Sequence, residues 1–160
     1  MSKHPTDPHQ PAQPDPAKDI PWIEVGPHRM RIVDDCVERI IHGPMNLEQV
    51  QAFERHQLPI YEKYAYSLTL TDCHQAAGMS ADARRYVALQ ARLHPERIYC
   101  SALYGCSTLT VAVSTLVTRA ITLFSGKPQY LEICRDEDSA RAYLDEFRRT
   151  FQRKLGETPR

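Results

Sequence analysis

The sequence predicts an α/β chain built on a mixed β-sheet with helices. Three observations lead there. Short apolar-alternating runs near Trp22 to Ile41 are broken by turn residues, as in strands. From Asn46 onward the apolar spacing shifts to three and four, the helical period. Beyond Ser67, strand-like and helix-like stretches then alternate three times with short connections, which favours strand-helix units packed on one sheet.

The elements follow in order. "WIEVGPHRMRIVDDCVERIIHG" places Ile23 and Val25, then Met30 and Ile32, then Val37, Ile40 and Ile41 in two or three short strands. Tight turns at Gly26-Pro27 and Asp34-Asp35 join them into a hairpin or meander, and Gly43-Pro44 is expected to end the strand region. Asn46 is an expected N-cap, with Glu48 in the favourable first turn and Leu47, Val50, Ala52 and Phe53 at helical spacing. Pro59 is expected to kink or end that helix. "SLTLTD" reads as a strand, the residues after Asp72 as a loop, and "SADARRYVALQARLHP" as a helix. "RIYCSALYG" and "QYLEICRD" are further strands, each followed by a helix, "STLTVAVSTLVTRAITLFSG" and "DEDSARAYLDEFRRTFQRKLG".

Composition narrows the function. The formal net charge is zero, which removes the general electrostatic argument for nucleic acid or an anionic membrane as partner. The basic end of the last helix, Arg148, Arg149, Arg153 and Lys154, complements the helix dipole instead. Five cysteines without a C-x-x-C pair read as reduced, mostly buried thiols of a cytoplasmic protein. Residues 1–21 hold six of the twelve prolines and almost no apolar side chain; they are expected to form a disordered tail rather than a secretory signal, and His4 and His9 there to be solvated. A single domain is expected over residues 22–155, with a short tail at 156–160. Ile98 to Thr118 carries no formal charge over 21 residues, but its seven Ser or Thr residues and the turn signal "YGCST" favour a buried strand and helix over a membrane span.

No P-loop, dinucleotide, zinc-protease or nucleophile-elbow motif occurs. No cofactor or metal site is therefore expected. "DCH" brings Asp72, Cys73 and His74 together after a strand, but adjacent side chains leave the backbone in different directions, so a thiol enzyme using Cys73 and His74 is only an alternative.

Two helix starts carry the candidate binding residues. The Ser80 hydroxyl is expected to accept from the N–H of Asp82 or Ala83, and Asp82 sits near the positive end of the dipole. Arg84 and Arg85 oppose that dipole; Asp82 to Arg85, at i to i+3, offsets one of them, leaving the other to solvent or, as the alternative, to a phosphate or an acidic partner. Gly105 allows a tight turn before Ser107, which caps the next helix. Adjacent helix starts at Ser80 and Ser107 would offer free N–H groups at one end of the sheet. The helix after Ser107 is apolar on most faces, so it either lies in the core or meets another chain, including a second copy in a homodimer.

With "SLTLTDCHQAAGMSADARR" and "IYCSALYGCSTLTVAVSTLV" in this order, residues 22–152 resemble the STAS domain, specifically the SpoIIAA-like bacterial anti-sigma-factor antagonists. In that family an Asp-Ser-Ser-Gly motif starts a helix after a strand ending in Asp, and its first serine is phosphorylated by the partner kinase. Counted from Asp72 without a gap, this chain has Ser80, Ala81, Asp82 and Ala83 there, which puts Ala81 at the acceptor position. Sliding by one residue makes Ser80 the candidate phosphorylation site but recovers neither the preceding acid nor the following glycine. The resemblance implies a non-enzymatic module without the usual phosphoserine switch. It would bind a regulatory protein, an anti-sigma factor or kinase-like partner, through Asp72, Ser80, Asp82, Arg84, Arg85, Gly105 and Ser107. Related folds also house apolar ligands, so a small-ligand or lipid carrier is the main alternative.

Overall fold

The computed structural model describes residues 19–126 and 129–157. Ten elements follow in the order β1 (Ile23–Val25), β2 (His28–Val33), β3 (Cys36–Met45), α1 (Leu47–Tyr64), β4 (Ser67–Met79), α2 (Ala81–Leu93), β5 (Tyr99–Tyr104), α3 (Thr108–Ser125), β6 (Tyr130–Cys134) and α4 (Glu137–Glu157). The six strands form one mixed sheet whose spatial order is the chain order. β1, β2 and β3 are an antiparallel meander, and β3 to β6 run parallel.

Three parallel crossovers in the same direction, each obeying the right-handed rule, must put α1, α2 and α3 on one face. The helix after β6 is then free to cover the other. The side chains agree with this division. Cys36, Leu68, Leu70, Cys100 and Ala102 point to one side and pack on Ala140 and Leu144 of α4. On the opposite side Val37 and Ile41 pack with Phe53 and Ile60 of α1. A parallel sheet buried on both faces is the arrangement these strands require.

Helix starts follow the expected chemistry. The Asn46 side chain accepts from the Gln49 N–H at 3.0 Å, and the Gln49 side chain accepts from the Asn46 N–H at 2.9 Å, a complete capping box.

Three expectations are corrected. β3 does not stop at Gly43-Pro44 but runs to Met45. β2 pairs with it only as far as Ile40, so the N–H that Pro44 lacks has no β2 carbonyl waiting for it. Register shifts between Ile40 and His42 and between Gly43 and Met45 absorb the irregularity, and Gly43 takes a positive φ of 71°. The residues after Asp72 are strand rather than loop: β4 has 13 residues, and its far half is held by the same long β3, with Gly43 opposite Ala76 and Met45 opposite Met79. Pro59 neither ends α1 nor divides it, for the helix reaches Tyr64 and closes on a left-handed Ala65. Pro59 is on the exposed side of α1 while Gln57 and Ile60 face inward, so water can satisfy the carbonyl that its ring leaves unbonded.

Candidate functional site

The start of α2 is a capped helix terminus at the tip of β4. Ser80 is exposed and extended, and its Oγ accepts from the Ala83 N–H at 3.3 Å. Its own N–H donates to the Met45 carbonyl at 2.9 Å, which fixes the turn to β3. Arg85 pairs with Asp82 at 2.6 Å. Arg84 turns back to donate to the Met79 carbonyl at 2.5 Å. Each of the two cations therefore has a local acceptor.

Ser107 caps α3 in the same way, accepting from the Thr110 N–H at 3.2 Å. The buried Thr110 hydroxyl donates in turn to the Ala76 carbonyl at 3.4 Å, tying α3 to the far half of β4. Gly105, with φ of 68°, lies against His74 so closely that a Cβ would come within 2.3 Å of Nδ1. The last pair of β4 with β5 is Asp72 with Tyr104, and β4 continues seven residues further to Met79. At about 3.3 Å per residue that is roughly 23 Å of strand. Ser80 thus lies past the end of β5, while the first turn of α3 meets β4 at Ala76, four residues before Ser80.

Asp72 accepts from the backbone N–H of His74 at 3.0 Å and from its Nδ1 at 2.7 Å, and the His74 ring meets Tyr104 edge-on. Strand alternation sends Cys73 the other way, into the protein beside Cys106. Burial pushes the Cys73 thiol far above its ordinary pKa. A thiolate activated by His74 has no geometry here, since the imidazole is engaged by Asp72 on the opposite face. Among the described residues no three His, Cys, Asp or Glu side chains cluster to hold a metal; His4 and His9 lie outside those residues.

α3 is an outer helix rather than a central one. Its Leu109, Leu116 and Leu123 are exposed, the last two by 64% and 80%. They stand seven residues apart and so form one stripe along the helix. The neighbouring α2 exposes Leu89 and Leu93. Five of the six large apolar side chains exposed among the described residues are thus leucines of these two adjoining helices. No described helix is long and apolar enough to cross a membrane.

Sequence reasoning missed a second feature, beneath these helices. The sheet face toward α1, α2 and α3 carries Arg39, Thr69, Thr71 and Ser101 around a cavity of about 290 Å³. Gln57 of α1 organises its floor: its side-chain oxygen accepts from Arg39 Nη2 at 2.5 Å, and its Nε2 donates to Ser67 at 2.7 Å and Thr69 at 3.1 Å. Burial lowers the Arg39 pKa to about 10. The guanidinium therefore stays charged at neutral pH.

No known protein-family profile matches this sequence, and no curated protein does. Solved structures similar in fold include the anti-sigma factor antagonist SpoIIAA in its unphosphorylated form. It is 11% identical, with a TM-score of 0.46 over 76% of this chain and 97% of that one. Another is an uncharacterized protein of the DUF3478 family with a SpoIIAA-like fold from Shewanella loihica PV-4. That protein is 17% identical, with a TM-score of 0.49 over 72% of this chain and 90% of the other. The chain is thus similar to SpoIIAA-like proteins in the arrangement of its sheet and helices, and what it does is argued from its own residues.

Proposed function

We propose that this chain is a non-enzymatic, cytoplasmic regulatory module that docks a partner protein on the outer face of α2 and α3. The observation that supports the reading is the set of five exposed leucines on those two helices. Burying a leucine is worth about 1.5–3 kcal/mol, so such a group in water favours a partner that covers it. The capped start of α2, from Ser80 to Arg85, adds a polar rim, the composition expected around an apolar docking centre. The partner is a regulatory protein of the anti-sigma-factor or kinase-like kind. Ser80 serves as a helix cap, and binding does not depend on its phosphorylation.

Affinity capture of the full chain from its native cells tests this reading. Wild-type protein is expected to retain a dominant partner that Leu116→Asp with Leu123→Asp loses, that Arg84→Glu weakens, and that Cys73→Ala leaves unchanged. An unaltered set of captured proteins in the double leucine variant would sink the proposal. Sedimentation of the purified chain distinguishes the other occupant: a dimer abolished by the same two changes would make a second copy the partner.

A further inference from the structure

We propose that the cavity between the sheet and helices α1, α2 and α3 binds an organic carboxylate with an apolar body, its carboxylate held by Arg39. The proposal is independent of docking on the outer face.

Arg39 is the odd charge among the described residues. The other enclosed charges are paired. Asp35 has Arg148 at 2.7 Å, and Glu38 has Arg31 at 2.6 Å and Arg141 at 2.8 Å. Arg39 has no carboxylate within ion-pair distance among the described residues. Its Nη2 goes to the neutral Gln57, its guanidinium lies 4.8 Å from the centre of the Phe53 ring, and its Nε is enclosed with no hydrogen-bond partner. The acid that also lines the cavity, Glu54, is taken by Arg97 at 3.2 Å and by the Tyr86 hydroxyl. A part-buried cation without a counter-ion is unfavourable, and its buried Nε–H without an acceptor adds to the cost. A carboxylate held in the cavity against the guanidinium supplies the missing counter-ion.

The cavity itself specifies the rest of the ligand. Its volume of about 290 Å³ is near the lower end of small-molecule pockets, roughly 300–1,000 Å³. Val87 of α2 and Val113, Val117 and Ile121 of α3 supply apolar wall, and Arg39 lies on the sheet side with the hydroxyls of Thr69, Thr71 and Ser101. The flat guanidinium suits a carboxylate through paired N–H donors. With Glu54 already paired to Arg97, one uncompensated cation matches a single negative charge better than a doubly charged phosphate. An aliphatic or aromatic monocarboxylic acid fits both ends of the site.

Titration calorimetry of the full chain with sodium decanoate and with 1-decanol tests the assignment. Decanoate is expected to bind more tightly than decanol. Arg39→Gln should weaken decanoate by roughly tenfold or more, as for loss of a charged hydrogen bond, and leave decanol unchanged. Val117→Trp, which fills the wall, should weaken both, and Leu116→Asp on the outer face should weaken neither. The Arg39 Nε–H resonance of unaltered, nitrogen-15-labelled protein gives an answer that needs no variant to fold. It should shift on adding decanoate and not on adding decanol. Absence of decanoate binding, equal affinity for decanol, or an unmoved Nε–H signal at saturation would overturn the proposal.

Discussion

Arg148 and Asp35 form a two-point ion pair across 113 positions of sequence, Nε to Oδ2 at 2.8 Å and Nη2 to Oδ1 at 2.7 Å. The Tyr66 hydroxyl donates to the same carboxylate at 2.6 Å. One side chain in the β2–β3 turn thereby joins the last helix to the start of β4.

Removing Arg148 leaves the enclosed Asp35 carboxylate short of its main partner. Arg148 is itself partly exposed, so Arg148→Ala is expected to lower stability by about 2 kcal/mol, less than the 3–5 kcal/mol of a fully buried pair. Burial pushes the Asp35 pKa up, but Arg148 and Tyr66 outweigh it and hold the group below its ordinary value. A depressed carboxylate contributes stability above its unfolded pKa of about 3.9 and loses it as pH falls through the folded value. Urea melts in the acid range should show this loss in the wild type and a smaller one in Asp35→Asn.

His28 predicts a second pH dependence, nearer neutrality. It is wholly buried; its Nδ1 accepts from the His42 N–H at 3.1 Å, which leaves Nε2–H to donate to the Gln49 side-chain oxygen at 3.0 Å. Burial lowers its pKa, with His42 opposing the charge further. The unfolded chain then takes up the proton first, so this contribution is intact above about pH 6.5 and declines as pH falls toward the folded value. Denaturation at pH 7.5 and 5.5 should show the wild type weaker at the lower pH, with His28→Gln narrowing the difference.

Ser80→Ala should cost about 1 kcal/mol, whereas Ser80→Asp should be close to neutral, because aspartate caps as well as serine and suits the positive helix end. Thermal melts separate the two. Peptide mass analysis of the natively isolated chain is expected to find Ser80 unmodified, and phosphate there would reinstate the serine switch.

Gly105→Ala puts a methyl group within 2.3 Å of His74 Nδ1 at a φ of 68°. A loss of about 2 kcal/mol or more is expected, from the contact and the left-handed backbone together. Adding His74→Ala should relieve the contact and leave roughly 1 kcal/mol of backbone strain. A double-mutant cycle by urea denaturation measures that coupling.

Iodoacetamide should modify Cys106 and Cys134 before Cys36, Cys73 and Cys100. The first two are half-buried, whereas the other three are buried, with Cys36 and Cys100 pushed up to about 12 by burial. Time-resolved peptide mass spectrometry reads the order. Rapid labelling of Cys73 in the folded chain would contradict the placement described above.

Much of the architecture was legible because local signals and tertiary demands coincide. Asn46, Ser80 and Ser107 each precede a helix and each caps it. The extra length of β4 was not legible. "HQAAG" has weak strand propensity, and its strand form depends on a partner some thirty residues earlier, His42 opposite Gln75. The cavity was hidden for a related reason. In Ser67, Thr69 and Thr71 the polar positions alternate with Leu68 and Leu70, a pattern that ordinarily marks one face turned to water. Here both faces are buried, and only the three-dimensional placement of Gln57 and Arg39 shows what those hydroxyls meet. The exposed leucines of α3 were visible as apolar residues, but whether they faced the core required the helix to be placed.

The agreement between strand order and chain order bears on how the protein is made. Each strand after the first finds its earlier neighbour already synthesised, so the sheet can grow at one edge as the chain leaves the ribosome. No strand has to be inserted between two that are already paired. α4 then reaches back across the sheet, and its Arg148 closes on Asp35 after all six strands have emerged. That contact is a latch set after the sheet is complete.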